Sequence, residues 1–213
     1  MKVSSSKEKI LKKIREALSN PVPLPFPKSE GSSALFPLAN EDLEILFAKE
    51  FTALSGKFAF CIDEKDAQQQ LKQLIAYQKW KNIFCVEKQL TSLFPPTQFP
   101  EINNTSLANC DAAITSCQYL VARTGAIVIN SAKESGRTVS AYSPVHICIA
   151  YVDQLVFDNR DVLKELKAAP NFPSSITFAA GPSRTADIEK TLVIGVHGPK
   201  EVYVFLIDQR SQK

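Results

Sequence analysis

The stretch Gly181-Pro182-Ser183-Arg184-Thr185 combines a chain-breaking turn, two hydroxyl caps and a guanidinium, the residue types that together hold an anion. Ile176 to Ala180 is a short apolar run, Gly181-Pro182 breaks it, and Ser183 or Thr185 is placed to cap a short helix with Asp187 and Glu189 near its positive end. Free backbone N–H groups at such a start, with Arg184 beside them, suit phosphate or carboxylate. The same residues also read as a well-capped connecting helix with Arg184 in solvent. A second cluster follows the apolar run 126 to 130: Lys133, Gly136, Arg137 and Ser140 put two cations around a glycine, which either grips an anionic substrate or forms a solvated loop.

Two histidines are present. His146 opens an apolar run after Pro144, where a structural histidine is expected. His197 lies in Gly195-Val196-His197-Gly198-Pro199, a turn tight enough to aim an imidazole into a cleft as a general acid or base, or to bond it to backbone. No nucleophile is marked, because Ser183 lacks the G-x-S-x-G elbow. Cys110 and Cys117 have no C-x-x-C partner, and two histidines among scattered acids compose no metal site. The glycines form neither G-x-G-x-x-G nor a Walker loop.

Gly181-Pro182-Ser183-Arg184-Thr185-Ala186-Asp187-Ile188-Glu189, followed by Gly195 to Pro199, resembles the C-terminal signature of the LUD family, the lactate utilization proteins, and in particular the lactate utilization protein C type. Ala122 to Pro144 is similar to the family's central block, where a Thr-Gly or Ser-Gly pair, here Thr124-Gly125, opens a strand and a Gly-Arg pair, here Gly136-Arg137, precedes Ser and Pro. One position departs: the family usually has an acid just before the Thr-Gly pair, and this chain has Arg123.

The resemblance implies an α/β fold, a Rossmann-like open, mostly parallel sheet of the ribose-5-phosphate isomerase and CoA transferase type. It implies an accessory or ligand-binding subunit of a system that oxidises L-lactate to pyruvate. Iron-sulfur clusters are then expected in partner subunits, and no cofactor is expected in this chain. The alternative is a stand-alone isomerase, transferase or ligase acting on a small phosphorylated or carboxylated metabolite. The expected ligand-binding positions are Thr124, Gly125, Lys133, Arg137, Gly181, Ser183, Arg184 and Thr185. The catalytic residue stays unassigned, with His197 as its candidate.

The elements that must position these groups follow from periodicity. Ser6 is placed to cap an amphipathic helix with Ile10, Leu11, Ile14 and Leu18 on one face, and Pro21, Pro23, Pro25, Pro27 and Pro37 mark an extended linker. Residues 1–38 therefore read as an arm and linker, and 39–213 as the α/β domain. Within the latter, helices are expected at 41–54, 65–79 and 158–168, and strands at 57–62, 82–86, 112–115, 126–130, 145–150, 175–180 and 201–207. Strands alternating with helices mean a parallel sheet, and runs as apolar as Ile127-Val128-Ile129 fit a sheet covered on both faces.

With 45% apolar and 22% charged residues the chain supports an ample core. A net charge of +3, spread along the chain, argues against nucleic acid. The first residues lack a signal-peptide pattern, and no run of apolar residues is long enough to span a bilayer, so a cytoplasmic protein with reduced cysteines, off the membrane, is expected.

Overall fold

The computed structural model describes residues 5–19, 41–104, 106–168, 172–188 and 191–210. The chain divides into two compact units, Met1–Leu38 and Ala39–Lys213. The first contains helix α1 (Ser5–Ser19), whose apolar side chains Ile10, Leu11 and Ile14 are exposed. The expected proline linker lies outside the described residues.

In the second unit the elements run α2 (Leu43–Ala53), β1 (Lys57–Cys61), α3 (Glu64–Gln78), β2 (Ile83–Phe84), α4 (Lys88–Leu93), β3 (Ala112–Ser116), β4 (Tyr119–Val121), β5 (Ala126–Asn130), α5 (Val139–Tyr142), β6 (Val145–Tyr151), β7 (Leu155–Val156), α6 (Asn159–Ala168), β8 (Ile176–Ala179), β9 (Arg184–Ile188), β10 (Thr191–Ile194) and β11 (Glu201–Ile207). Five strands form a fully parallel central sheet in the order β1-β11-β6-β3-β2. The fold is thus mixed α/β with a mostly parallel central sheet flanked by helices.

The sequence of β11 explains the layering. Tyr203, Phe205 and Ile207 join one apolar cluster with Leu71 and Ile75 of α3, Phe94 and Phe99. The alternate residues Val202, Val204 and Leu206 join a second with Phe47 and Phe51 of α2 and Ile127 and Ile129 of β5. A strand apolar from Val202 to Ile207 buries both faces, and each such side chain contributes roughly 1.5–3 kcal/mol.

Strands 126–130 and 175–180, expected in the parallel sheet, belong instead to a separate mixed sheet of order β7-β4-β5-β8. The reason is the connection. Only Ala122–Gly125 separates β4 from β5, whereas a parallel pair needs a crossover of a dozen or more residues, so the two strands pair antiparallel. One face of this sheet contributes Ile127 and Ile129 to the core shared with α2; the other packs Val121, Ala126 and Val128 on Val162 and Leu166 of α6.

The short helix expected after Ser183 is replaced by an antiparallel hairpin, with Arg184 opposite Ile194 and Thr185 opposite Val193. β-branched residues at 185, 188, 191, 193 and 194 favour extended backbone over a helix. Ser183 caps nothing: its amide donates to Pro199 O (2.9 Å) and its carbonyl accepts from the Gly195 amide (3.0 Å). Glu189, expected in the first turn of that helix, lies outside the described residues.

Candidate functional site at the carboxyl end of the central sheet

Ligands in open α/β sheets sit outside the carboxyl ends of the strands, and here a polar cluster is buried at that end. β3 finishes at Ser116; Glu87 follows β2, Gln154 follows β6, and Lys133 and Ser135 follow β5. Glu87, Ser116 and Ser135 are 6%, 9% and 4% exposed. Glu87 Oε1 accepts from the Ser116 amide (3.1 Å) and Ser135 Oγ (2.7 Å), while Oε2 accepts from Ser116 Oγ (2.5 Å). Three donors compensate a carboxylate that would otherwise be costly to bury.

Lys133 Nζ donates to Ser116 Oγ (2.8 Å) and to Cys117 O (2.9 Å), a carbonyl that also accepts from Gln154 Nε2 (2.8 Å). Ser116 Oγ is therefore held between a carboxylate and an ammonium. These two bonds account for two of the three N–H donors of Lys133, so the third is available to a small oxyanion. Beneath the cluster the Cys148 thiol is hydrogen-bonded with Cys117 and buried; both influences raise its pKa well above the ordinary thiol value, so it stays protonated.

The loop carrying Lys133 is built for this placement. Gly136 adopts φ +61° in a turn closed by its amide on Lys133 O (2.9 Å). Arg137, exposed, donates to Ser174 Oγ (2.6 Å), and Ser131 Oγ meets the same hydroxyl at 3.0 Å, which ties the loop to the chain entering β8.

The other expected binding residues lie at the opposite end. β5 runs from Ala126 to Asn130 and β8 returns antiparallel to it, so Thr124, Gly125, Gly181, Ser183, Arg184 and Thr185 are separated from Lys133 and Arg137 by the length of a strand, at least about 13 Å. The expected convergence of Lys133 or Arg137 on the Gly181 to Thr185 turn does not occur.

What gathers there is the C-terminal end of α2. Arg184 Nη2 donates to Leu54 O (2.9 Å) and Ser55 Oγ (2.8 Å), the placement a cation takes at a helix C-terminus. Gly125, at φ +58°, lies so close that a Cβ would sit 2.6 Å from the Phe51 amide nitrogen; at Gly181 one would sit 2.5 Å from Leu54 O. These positions brace a helix. Arg184 is engaged by that helix end, not by a helix N-terminus that would present anion-binding amides. Thr124 Oγ1 is buried without a hydrogen-bond partner among the described residues.

Arg123, which stands where the resemblance led to an acid being expected, is no stranded charge, since its Nε pairs with Asp158 Oδ2 at 2.7 Å. Burial alone would raise the Asp158 pKa; the Arg160 amide and the Arg123 guanidinium outweigh it and hold the value below the ordinary carboxylate range. His146 is 1% exposed, bonded through Nε2 to Thr115 Oγ1 (2.8 Å), and pushed down by burial to about 4, so it is neutral. His197 is exposed and lines a cleft at the amino end. Among the described residues no three His, Cys, Asp or Glu side chains gather to hold a metal ion, and no helix is long and apolar enough to cross a membrane.

Sequence reasoning missed Glu87, Ser116 and Ser135. The signal was positional: Glu87 and Ser116 each directly follow an expected parallel strand, at the end where ligands bind.

Comparison with known proteins agrees with the fold. The chain is 39% identical over 104 residues to lactate utilization protein C of Halalkalibacterium halodurans, covering 47% of this chain and 45% of that protein. It is 31% identical over 109 residues to lactate utilization protein C of Deinococcus radiodurans, covering 51% of each. The chain thus spans about half the length of the curated relatives it matches. The crystal structure of a DUF162 family protein from Deinococcus radiodurans superposes with a TM-score of 0.59 at 17% identity, covering 80% of this chain and 99% of that one, which establishes a shared fold. The model of the LUD domain matches residues 97–207, more than half of the sequence and the stretch that carries Ser116, Lys133 and the α2 brace. On that match, the chain belongs to the LUD domain family.

Proposed function

We propose that this chain is a ligand-binding, accessory subunit of an L-lactate utilization system, acting in the cytoplasm beside partner subunits that carry iron-sulfur clusters for the oxidation of lactate to pyruvate. The names of its relatives support the metabolic assignment. The observation that carries the ligand-binding part is Lys133, a half-buried ammonium at the carboxyl end of the central sheet with one donor to spare beside the Ser116 hydroxyl. A 2-hydroxy carboxylate suits this pair, its carboxylate accepting from the ammonium and its C2 hydroxyl donating to Ser116 Oγ, whose own hydrogen is held by Glu87. Arg137, on the same loop, adds positive potential that draws an anion in.

Co-purification from cells grown on L-lactate tests the subunit role. The chain is expected to bring down iron-sulfur proteins, and its deletion to abolish growth on lactate. A chain that associates with none and whose loss leaves that growth intact overturns the proposal.

The stand-alone enzyme is the second reading, favoured by one feature: Ser116 Oγ lies between Glu87 and Lys133, so a base and a cation flank a hydroxyl. Turnover of a carboxylated or phosphorylated substrate by the isolated chain, lost in Ser116→Ala, decides for it.

A further inference from the structure

We infer that a second cleft, at the amino ends of β6 and β11, binds a small organic oxyanion, a phosphate ester or a carboxylate, through Lys200, His197 and Tyr142. This inference does not rest on the lactate assignment. The cleft, about 540 Å³, is walled by the loop Gly195–Lys200 on one side and by Ala141–Pro144 with Ala108 and Cys110 on the other. That volume lies within the range of small-molecule sites.

Its polar lining points to a ligand of one charge sign. Lys200, His197 and Tyr142 line the cleft, and none of their side chains is hydrogen-bonded or ion-paired to any described residue. The amides of Val196, His197 and Gly198 donate to no described backbone carbonyl. No carboxylate lines the cleft.

The acids next to it in sequence are engaged elsewhere. Asp111 accepts from the Lys81 and Asn82 amides (2.8 and 2.9 Å), and Glu201 is held by Lys57 Nζ (2.6 Å) and the Tyr203 hydroxyl (2.9 Å). Lys200 therefore has no counter-ion among the described residues, and an oxyanion supplies one while accepting from the neighbouring donors. The exposed Tyr142 ring and Val196 offer an apolar surface to the organic part of such a ligand.

The walls are fixed in place. The Lys200 amide donates to Pro144 O (2.8 Å), which joins the two sides, and Ser183 anchors the base of the loop through Pro199 O and the Gly195 amide. Gly195, at φ +79°, matters for a steric reason: a Cβ there would collide with Lys200 Cγ, so the glycine gives the lysine stem a seat across the loop. β6 and β11 each run seven residues from this end, which puts the cleft roughly 20 Å from the Lys133 cluster.

The test is a titration of the full chain with inorganic phosphate, phenyl phosphate and benzoate, followed by calorimetry and by amide and imidazole NMR signals. Binding is expected to shift the signals of His197, Gly198 and Lys200, and Lys200→Met to weaken it by about tenfold or more with an unchanged melting temperature. The signals of His197, Gly198 and Lys200, roughly 20 Å from Lys133, report this cleft alone, which separates failure here from failure of the lactate assignment. A preference for the two phosphates identifies a phosphate ester as the natural class, and a preference for benzoate identifies a carboxylate. The inference is overturned if none of the three probes binds at millimolar concentration, or if Lys200→Met keeps full affinity.

Discussion

Replacing Gly125 by Ala tests whether the family's Thr-Gly pair braces a helix. At φ +58° a non-glycine residue costs about 1–2 kcal/mol in the left-handed region. The added Cβ would also sit 2.6 Å from the Phe51 amide nitrogen and 2.8 Å from both Glu50 C and Phe51 Cα, all of them backbone atoms that cannot rotate away. α2 must then lift off the 122–125 turn, loosening Phe47 and Phe51, both fully buried and stacked with centroids 5.4 Å apart. Overpacking of this kind costs about 1–3 kcal/mol, which brings the total to about 2–5 kcal/mol. For a domain of this size that lowers Tm by roughly 4–20 °C.

Gly136→Ala is the matched control. Its φ is +61° and nothing lies within 4 Å of the new Cβ, so only the backbone term of about 1–2 kcal/mol applies. Urea denaturation of both variants gives the comparison. Equal losses at the two positions would refute the reasoning, because backbone conformation alone would then explain both and α2 could not be seated on the turn.

Other consequences can be checked in the same way. Burial holds the His146 pKa down, to about 4 against an ordinary 6.5, so the unfolded chain binds the proton more readily. Stability should be full above about pH 6.5 and fall as pH drops toward 4, and His146→Gln should flatten that slope in urea titrations; an unchanged slope contradicts it. The Asp158 pKa is lowered in the folded state, so its contribution is present above the ordinary value of 3.8 and is lost as pH falls through the lowered one. Asp158→Asn should cost about 2 kcal/mol at pH 7 and soften acid unfolding below pH 4; equal acid sensitivity of both proteins would count against this. Among the described residues the apolar clusters draw only on residues 43–207, so removing residues 1–38 should leave the Tm of the remaining domain within about 2 °C, and a large fall would show that the arm belongs to the core.

Much of this architecture was legible in the chain because burial writes a period. β5 and β11 occupy the ranges their unbroken apolar runs predict, and α3 and α6 begin and end within a residue of their amphipathic stretches. The second sheet was not legible: Tyr119–Val121 and Leu155–Val156 are too short to leave a pattern, and their partners are set by tertiary contact. The hairpin β9–β10 was hidden by a turn signal. Gly-Pro before Ser and Thr reads locally as a helix start, but the β-branched residues that follow decide the backbone.

Lys133 could be singled out from its place after an apolar strand. Its partner Ser116 lies 17 residues earlier, and Glu87 lies 29 residues from Ser116 and 48 from Ser135, distances across which periodicity carries no information. Arg184 misled for a related reason: its partner, the C-terminal end of α2, lies 130 residues earlier.

The most direct test of the central claim is calorimetric titration of L-lactate and pyruvate into the isolated chain and into Lys133→Met. The account predicts that the wild-type chain binds at least one of them and that the variant loses about tenfold or more in affinity, the value of one charge-assisted hydrogen bond, with Tm lowered by no more than a few degrees. Equal affinity in the two proteins, or no binding of either carboxylate by the wild-type chain, would contradict it.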